Sequence, residues 1–259
     1  MSGGGFILKS ERKQLILEKI AADQIVTLEA LVSLLETSES TVRRDLDELE
    51  QERKLRRVHG GAEALPPIGA EPSNQEKSVK NIHEKRLLAD KALTVISEGD
   101  VIFIDAGTTT ALLVQALAQQ AIMQAKSLTV VTNSIHHAAT LVEQGIKTII
   151  VGGLVKENTD ASVGSFALKQ IQSLNFDKAF VGMNGVDKEH LTTPDPEEAL
   201  IKQAIIANAK ETYVLADESK LGQFAFVKVA TLDQVTLLTN RSSKAILQEI
   251  KKKTRVIEV

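Results

Sequence analysis

The sequence predicts an α/β protein in two parts, an N-terminal winged helix-turn-helix and a C-terminal open α/β sheet. Three observations predict it. Short segments with helical apolar spacing, separated by turn signals, fill the start of the chain. A basic, alternating stretch that stops at Gly60-Gly61 follows them, the pattern of a strand turning back as a wing. From Asp100 onward apolar runs alternate with helix-period segments, which implies βα units around a parallel sheet.

Residues 11–22 carry Leu15, Ile16 and Ile20 at helical spacing and are broken by Asp23-Gln24. Thr27 is placed to cap a second helix over 28–35. Glu36-Thr37-Ser38 is a short connection, with Thr37 or Ser38 capping a third helix. There Val42, Leu46 and Leu49 form one apolar face, and Ser40, Arg44 and Gln51 lie near the opposite pole, with Thr41 and Arg43 on its flanks. Small hydroxyls (Ser38, Ser40, Thr41) at a helix start let the backbone approach base edges, and an arginine one turn later can fork onto a guanine. An amphipathic surface helix with a solvated charged face is the competing reading. The next stretch, Arg53-Lys54-Leu55-Arg56-Arg57-Val58-His59, favours DNA, because Arg43, Arg56, Arg57 and His59 can then line phosphates without reading sequence. Asp45, Asp47, Glu48, Glu50 and Glu52 partly neutralise that basic cluster.

Residues 63–74 hold three of the five prolines and read as an inter-domain connector. The expected organisation is a DNA-binding domain over 9–62, a linker over 63–74 and a second domain over 75–259. Residues 75–97 read as one helix, with Ile82, Leu87, Leu88, Ala92, Leu93 and Ile96 as its apolar positions. Val101-Ile102-Phe103-Ile104 opens the series of strands, followed by those at 128–131, 148–151, 179–181 and 212–215. Helices are expected between them, at 111–119, 134–144, 166–173 and 196–209.

Open α/β sheets bind ligands at the carboxyl ends of their strands, and these ends are polar or glycine-rich here. Asp105-Ala106-Gly107-Thr108-Thr109-Thr110 joins the first strand to a helix, and its amides and hydroxyls suit a phosphate. Asn133 and Ser134 end the second strand, Gly152 and Gly153 the third, and Asn184 the fourth; Lys220 brings a cation to the same rim. Each has a bland alternative: such turns contain Gly and Thr for geometry alone, and a lysine is usually solvated. Glu197, Glu198 and Lys202 near a helix start are as readily explained by the helix dipole.

A net charge of −3 argues against general affinity for nucleic acid, so any DNA contact must come from a local arrangement. Without cysteine, disulfide and thiolate chemistry are excluded. The 43% hydrophobic content is ordinary for a globular chain, and no apolar run is long enough to span a bilayer. The Ser-Gly start at Met1-Ser2-Gly3-Gly4-Gly5-Phe6 lacks the regions of a signal peptide and reads as a linker or an expression scar; with no cysteine, a cytoplasmic location is expected. His136, His137 and His190 lack the third group of a metal site or triad, so neither a metal, a cofactor nor a catalytic residue is expected. No Gly-x-Gly-x-x-Gly run supports a dinucleotide site.

Ser40-Thr41-Val42-Arg43-Arg44-Asp45-Leu46, with Leu49, Leu55, Arg57 and Val58-His59-Gly60-Gly61-Ala62, resembles the N-terminal signature of the DeoR family of bacterial transcriptional regulators. Arg53 departs from it, standing where that family usually ends the helix with glycine. The resemblance continues through Asp105-Ala106-Gly107-Thr108-Thr109, Thr132-Asn133-Ser134, Val151-Gly152-Gly153, Val163-Gly164, residues 177–182, Thr192-Thr193 and Ala216-Asp217-Glu218-Ser219-Lys220. It implies a sensor sheet of the phosphosugar-isomerase and CoA-transferase type, a phosphorylated sugar as effector, double-stranded operator DNA as partner, and a homo-oligomer, dimer or tetramer. The stretches around residues 8–12 and 73–77 lean toward the fructose-operon branch, which makes fructose 1-phosphate one candidate. The alternative is an isomerase-like enzyme with an appended DNA-binding domain. Related pentose-phosphate isomerases carry Asp-Gly-Ala-Asp-Glu after the corresponding strand, whereas this chain has Val181-Gly182-Met183-Asn184-Gly185. Both aspartates are replaced, so binding without catalysis is expected.

Overall fold

The computed structural model describes residues 7–52, 54–58, 60–65, 67–123 and 127–259. The chain forms two compact units, Met1–Pro67 and Ile68–Val259.

In the smaller unit, helices α1 (Lys9–Asp23), α2 (Leu28–Leu35) and α3 (Glu39–Gln51) surround a core of Ile16, Ile20, Leu31, Leu35, Val42, Leu46 and Leu49. The Thr27 side chain accepts the Ala30 N–H and caps α2; Ser38, rather than Thr37, accepts the Thr41 N–H and caps α3. Strands β1 (Ile25–Thr27), β2 (Arg56–Val58) and β3 (Gly61–Glu63) form an antiparallel sheet in the order β1-β3-β2. No strand is expected at β1 from the sequence, because three residues with one buried side chain, Val26, are too short to show alternation. Gly61 is required by this third strand: a Cβ there would lie 2.1 Å from the Val26 carbonyl oxygen. Arg53, where the family pattern is broken, lies outside the described residues. The Lys54 N–H bonds the Leu49 carbonyl at 2.9 Å, which satisfies one of the last free carbonyls of α3.

The larger unit opens with α4 (Asn74–Ser78) and α5 (Ile82–Leu93), so the single helix expected over 75–97 is two helices. The break centres on Asn81, at φ +52°, whose side-chain amide donates to Asp217 at 3.0 Å and to Ser219 at 3.1 Å. A tertiary contact some 136 residues away in sequence thus holds a left-handed residue that no local glycine or proline announces. The residues expected to form the connector are divided. Glu63 closes β3, while the Ile68 carbonyl, Glu71 and Asn74 all bond within the larger unit.

The βα series then runs β4 (Val101–Ile104), α6 (Thr108–Met123), β5 (Thr129–Thr132), α7 (Ile135–Glu143), β6 (Lys147–Ile150), the hairpin β7 (Leu154–Val155) and β8 (Ser162–Val163), and α8 (Ser165–Gln172). It continues through β9 (Phe176–Gly182), β10 (Gly185–Val186), β11 (His190–Thr193), α9 (Pro196–Ala207), β12 (Ala209–Leu215), β13 (Val227–Thr231), β14 (Thr236–Thr239), α10 (Ala245–Lys251) and β15 (Val256–Glu258). Seven strands pair in parallel in the order β15-β14-β12-β9-β4-β5-β6. Alternate residues of each central strand enter opposite cores, as the two-residue period requires. Ile102, Ile104 and Phe180 pack with α5 and α6; Phe103, Ala179 and Val181 pack with α8 and α9. A small antiparallel sheet, β10-β11-β13, and the β7-β8 hairpin add to this frame. β14, β15 and these short pieces lie outside the strands expected from the sequence.

The strand order places the site. The chain winds from β4 outward through β5 to β6, then returns to the other side of β4 and winds outward through β9, β12, β14 and β15. The reversal lies between β4 and β9, and the loops leaving those two strands part there to form a crevice.

Candidate functional site

On the smaller unit, α3 turns Ser40, Arg43 and Arg44 outward while Val42, Asp45, Leu46 and Leu49 are buried. The Ser38 hydroxyl lies 3.0 Å from that of Ser40 and 2.9 Å from that of Thr41, so three hydroxyls cluster at the helix start. Arg44 is exposed and makes no hydrogen bond or ion pair among the described residues. The other arginines of the expected interface are engaged. Arg43 pairs with Glu39 at 2.5 Å, one turn away on the same helix face. Arg56 pairs with Glu63, its cross-strand partner. Arg57 donates to Asp47 at 2.8 Å and to the Arg43 carbonyl at 3.2 Å, and its own N–H bonds Glu50 at 2.8 Å. Arg57 therefore ties the wing to α3. His59 lies outside the described residues. Asp45, counted in the sequence reading among the acids that offset the basic cluster, is buried and accepts both arms of Arg12, at 2.7 and 3.2 Å. It locks α1 to α3 and, spent on Arg12, does not offset Arg43, Arg44, Arg56 or Arg57.

On the larger unit the crevice between β4 and β9 is a solvent-open cleft of about 570 Å³. Of the residues expected there, Gly107, Thr108, Thr109, Asn184 and Lys220 line it. The amides of residues 108–110 precede the first intrahelical bond of α6, from Ala111 N–H to the Gly107 carbonyl at 2.9 Å, so the helix offers them at the loop.

Other expected residues stand behind that surface. Asn133 accepts the Ala106 N–H at 2.9 Å and fixes the loop from the next strand. The buried Thr110 hydroxyl donates to the Gly107 carbonyl at 2.9 Å. Ser134 caps α7 and donates to Asp160 at 3.0 Å. Asp105 is buried and ion-paired with Lys202, another residue of the cleft wall. Gly152 and Gly153 do not line the cleft: they follow β6, two strands from the reversal. A Cβ on Gly153 would lie 2.5 Å from the Val163 carbonyl oxygen, so that glycine serves packing. The loops that part at the reversal open the cleft, the segment after β12 closes one side of it, and the end of β6 lies too far away to contribute.

The cleft also gathers residues that the sequence reading did not assign to it: Asn74, Lys77, Lys85, Thr159, Glu198, Lys202 and Asp217. Lys85 is 4% exposed, and burial pulls its pKa down to about 8 against the opposing charge of Asp217. Its ammonium reaches the Lys77 carbonyl and, at 3.3 Å, the Thr108 hydroxyl. Burial also lowers the pKa of Lys77, with Glu71 opposing. Burial drives Asp105 up, while at Lys202 Asp105 and Glu198 outweigh the same desolvation and hold the ammonium. Glu198 accepts from Thr159 at 2.6 Å and from Lys156 at 3.0 Å, and Lys156 in turn holds Glu71 at 2.7 Å and Asp195 at 2.9 Å. His137, buried behind the Gly107 loop, has its pKa lowered to about 4 by desolvation.

Chemically the cleft has a cationic side and a hydroxyl-accepting side. Lys77, Lys85 and the start of α6 suit a compact anion, while Glu198, Asp217 and Asn184 offer acceptors for hydroxyls. One signal in the sequence could have found the lysines. Lys85 shares a helix stripe with Leu88, Ala89 and Ala92, and Lys202 with Glu198, Ile201 and Ile205, positions that otherwise carry core side chains. Among the described residues no helix is long and apolar enough to cross a membrane, and no cluster of acidic and histidine side chains is placed to hold a metal ion.

Residues 12–67 match the DeoR-like helix-turn-helix domain, and residues 80–241 match the DeoR C terminal sensor domain. The chain is 41% identical to the uncharacterized HTH-type transcriptional regulator FruR of Bacillus subtilis, over 96% of this chain and 98% of that protein. It is 32% identical to the lactose phosphotransferase system repressor of Staphylococcus aureus, over 88% and 90% of the two chains. Its structure is similar to ribose 5-phosphate isomerase A of Methanocaldococcus jannaschii at a TM-score of 0.43 and 21% identity, over 55% of each chain. With both family models matched in order along one chain, this protein belongs to the DeoR family of helix-turn-helix transcriptional regulators and is a regulator, not an enzyme.

Proposed function

We propose that this protein represses a carbohydrate-utilisation operon and that a phosphorylated sugar, held in the β4–β9 cleft, controls its grip on operator DNA. In this reading residues 9–62 bind DNA, residues 75–259 sense the sugar and the intervening residues connect them. Arg44 and Ser40 read base edges; Ser38, Thr41, Arg43, Arg56, Arg57 and His59 meet the backbone. The phosphate sits against the amides of 108–110 with Lys77 and Lys85, and the sugar hydroxyls meet Asn184, Glu198, Asp217 and Lys220. Asp105, Thr110, Asn133 and Ser134 hold that surface in place.

The observation that carries the reading is the start of α6 in one cleft with two lysines, Lys85 buried and Lys77 half-buried. A sugar dianion supplies the counter-charge that offsets their desolvation. The acids of the wall are held by ammonium or hydroxyl partners, which suits binding and not proton abstraction. The lactose-system repressor among the relatives points to sugar uptake as the regulated process. Control then follows from differential binding: the sugar favours the conformation with low operator affinity, and the shift equals the difference between its affinities for the two states. The protein works as an oligomer, dimer or tetramer, on paired half-sites.

A thermal-shift panel tests the sensor. Fructose 1-phosphate, tagatose 6-phosphate and glycerol 3-phosphate are compared with unphosphorylated fructose; a true effector at 100 times its Kd adds about 2.7 kcal/mol of stability. Stabilisation by no phosphosugar would overturn the sensor reading, and an effector that leaves operator affinity unchanged would overturn the control.

A further inference from the structure

The large apolar side chains left in water are not spread evenly over the larger unit. Of its fourteen exposed large hydrophobics among the described residues, seven fall between residues 135 and 166. Six of them lie on or beside one feature of the fold. Strand β6 ends the seven-stranded sheet and, among the described residues, pairs with β5 alone, leaving its outer row of backbone groups without a strand partner. Its side chains Ile149 and Ile150 point to opposite faces and are both nearly half exposed. On one face helix α7 continues the apolar surface with Ile135 and Val142, which are seven residues apart and share a helix side. On the other, Leu154 is 68% exposed and Phe166, at the start of α8, is 78% exposed. The Gln170 side chain donates to both the Gly152 and the Phe166 carbonyls, so α8 stands directly beside the chain leaving β6.

A monomeric protein rarely leaves a flat, apolar sheet edge open, because such an edge is a template for another strand. We infer that the β6 edge, with α7 and α8 on its two sides, is where a second copy of this chain docks, β6 pairing antiparallel with its own counterpart about a two-fold axis. The surface is suited to a copy of itself for three reasons. A two-fold antiparallel pairing presents the same edge from both sides and needs no second type of patch. It also sends the two Lys147 side chains, at the first position of β6, to opposite ends of the joint, whereas a parallel pairing would set like charges in register. The exposed apolar side chains amount to on the order of 500 Å² per copy, hence on the order of 1,000 Å² for the pair, the size at which specific interfaces begin. The sheet would continue through the joint. This rests on the reading that the chain works as an oligomer and names the face that does it.

The absence of cysteine makes the test clean. In the full-length chain, single cysteines are placed in turn at positions 147, 148, 149 and 150, with Phe226→Cys, 61% exposed elsewhere on the unit, as the control. Antiparallel partners lie about 4.5–5.5 Å apart at Cα, within reach of a disulfide. Mild oxidation is expected to give a covalent dimer, strongest at the β6 position nearest the axis, and none for Phe226→Cys. Sedimentation of the double variant Leu154→Lys/Phe166→Asp should show the pair weakened by about 30-fold or more. Phe226→Asp should leave it unchanged, and because Leu154 and Phe166 are exposed, a native melting profile confirms that the fold survives. An assembly that the double variant leaves undiminished, or an oligomer that gives no β6 cross-link, overturns the edge while leaving the oligomer reading intact. A wild-type monomer at micromolar concentration overturns both.

Discussion

The two cationic surfaces of this protein are built in opposite ways. On the DNA-binding unit, Arg43 and Arg44 stand in water, and Arg43 is paired with an acid one turn away. Exposed pairs of that kind are worth at most about 1 kcal/mol, so a phosphate can replace the acid with little loss. In the cleft of the sensor unit, Lys85 and Lys202 are almost fully buried: desolvation lowers the pKa of Lys85, while Asp105 and Glu198 overcome it and raise that of Lys202. An ammonium in that setting answers to one well-placed anion. The difference teaches what each surface suits: the first a long, uniformly charged polymer under salt screening, the second one compact anion in a setting where desolvation couples binding to pH.

Breaking the buried side of this comparison should have the largest effect. Lys202→Met leaves Asp105 without its cation in a site closed to water, and is expected to destabilise the sensor unit by about 3–5 kcal/mol in urea unfolding. Loss of less than about 1 kcal/mol would show that Asp105 is protonated and the pair is not ionic. On the exposed side, Arg44→Ala should leave thermal stability unchanged yet remove about 1–3 kcal/mol of operator preference, measured as the ratio of Kd values for operator and scrambled DNA. An unchanged ratio would place base reading elsewhere on α3.

The next comparison is of pH with salt. Folded Lys85 has a pKa near 8 against an ordinary value of 10.5, so between those values the unfolded chain holds a proton that the folded chain has released. Stability from this group therefore rises with pH across that window. Sugar-phosphate affinity should move the other way, since the anion requires the ammonium: raising the pH from 7 to 9 should weaken binding up to about tenfold, and Lys85→Met should bind weakly at both pH values. Binding that is independent of pH in the wild type would remove Lys85 from the site. The smallest effect belongs to Arg43→Ala, which should weaken operator and scrambled DNA alike and lower the slope of log Kd against log salt by about 1. Arg57→Ala makes a useful contrast. It removes the link from the wing to α3, so it should change the DNA affinity by more than its single charge allows.

Much of this was legible in the residues. The three helices of the smaller unit follow from apolar spacing and from Thr27 and Ser38 as caps, because those signals are local. The βα alternation and the Asp105–Thr110 loop were visible for the same reason. What escaped were elements whose cause lies far away in sequence: β1, which exists because β3 pairs with it, and the α4–α5 break, held by Asp217 and Ser219. Asp45, Lys85 and Lys202 carry a further signal, unused in the expectations above, because they stand on helix stripes that are otherwise buried. A charge at a core position has to be matched by a partner or a ligand, and periodicity can mark such a position without naming the partner.

By itself the sequence determined the two-part organisation, the face of α3 that carries Ser40 and Arg44, and the family, since helix periods, caps and contiguous motifs are written in neighbouring residues. The tertiary structure decided where the cleft lies and what lines it. Strand order is set by which apolar runs pair across the sheet, a long-range choice among similar β-rich segments that no local pattern encodes. That order put the reversal between β4 and β9, drew Lys77 and Lys85 from a distant helix pair to its rim, and left Gly152 and Gly153 outside. It also placed β6 at the margin of the sheet, where its backbone and apolar side chains face outward.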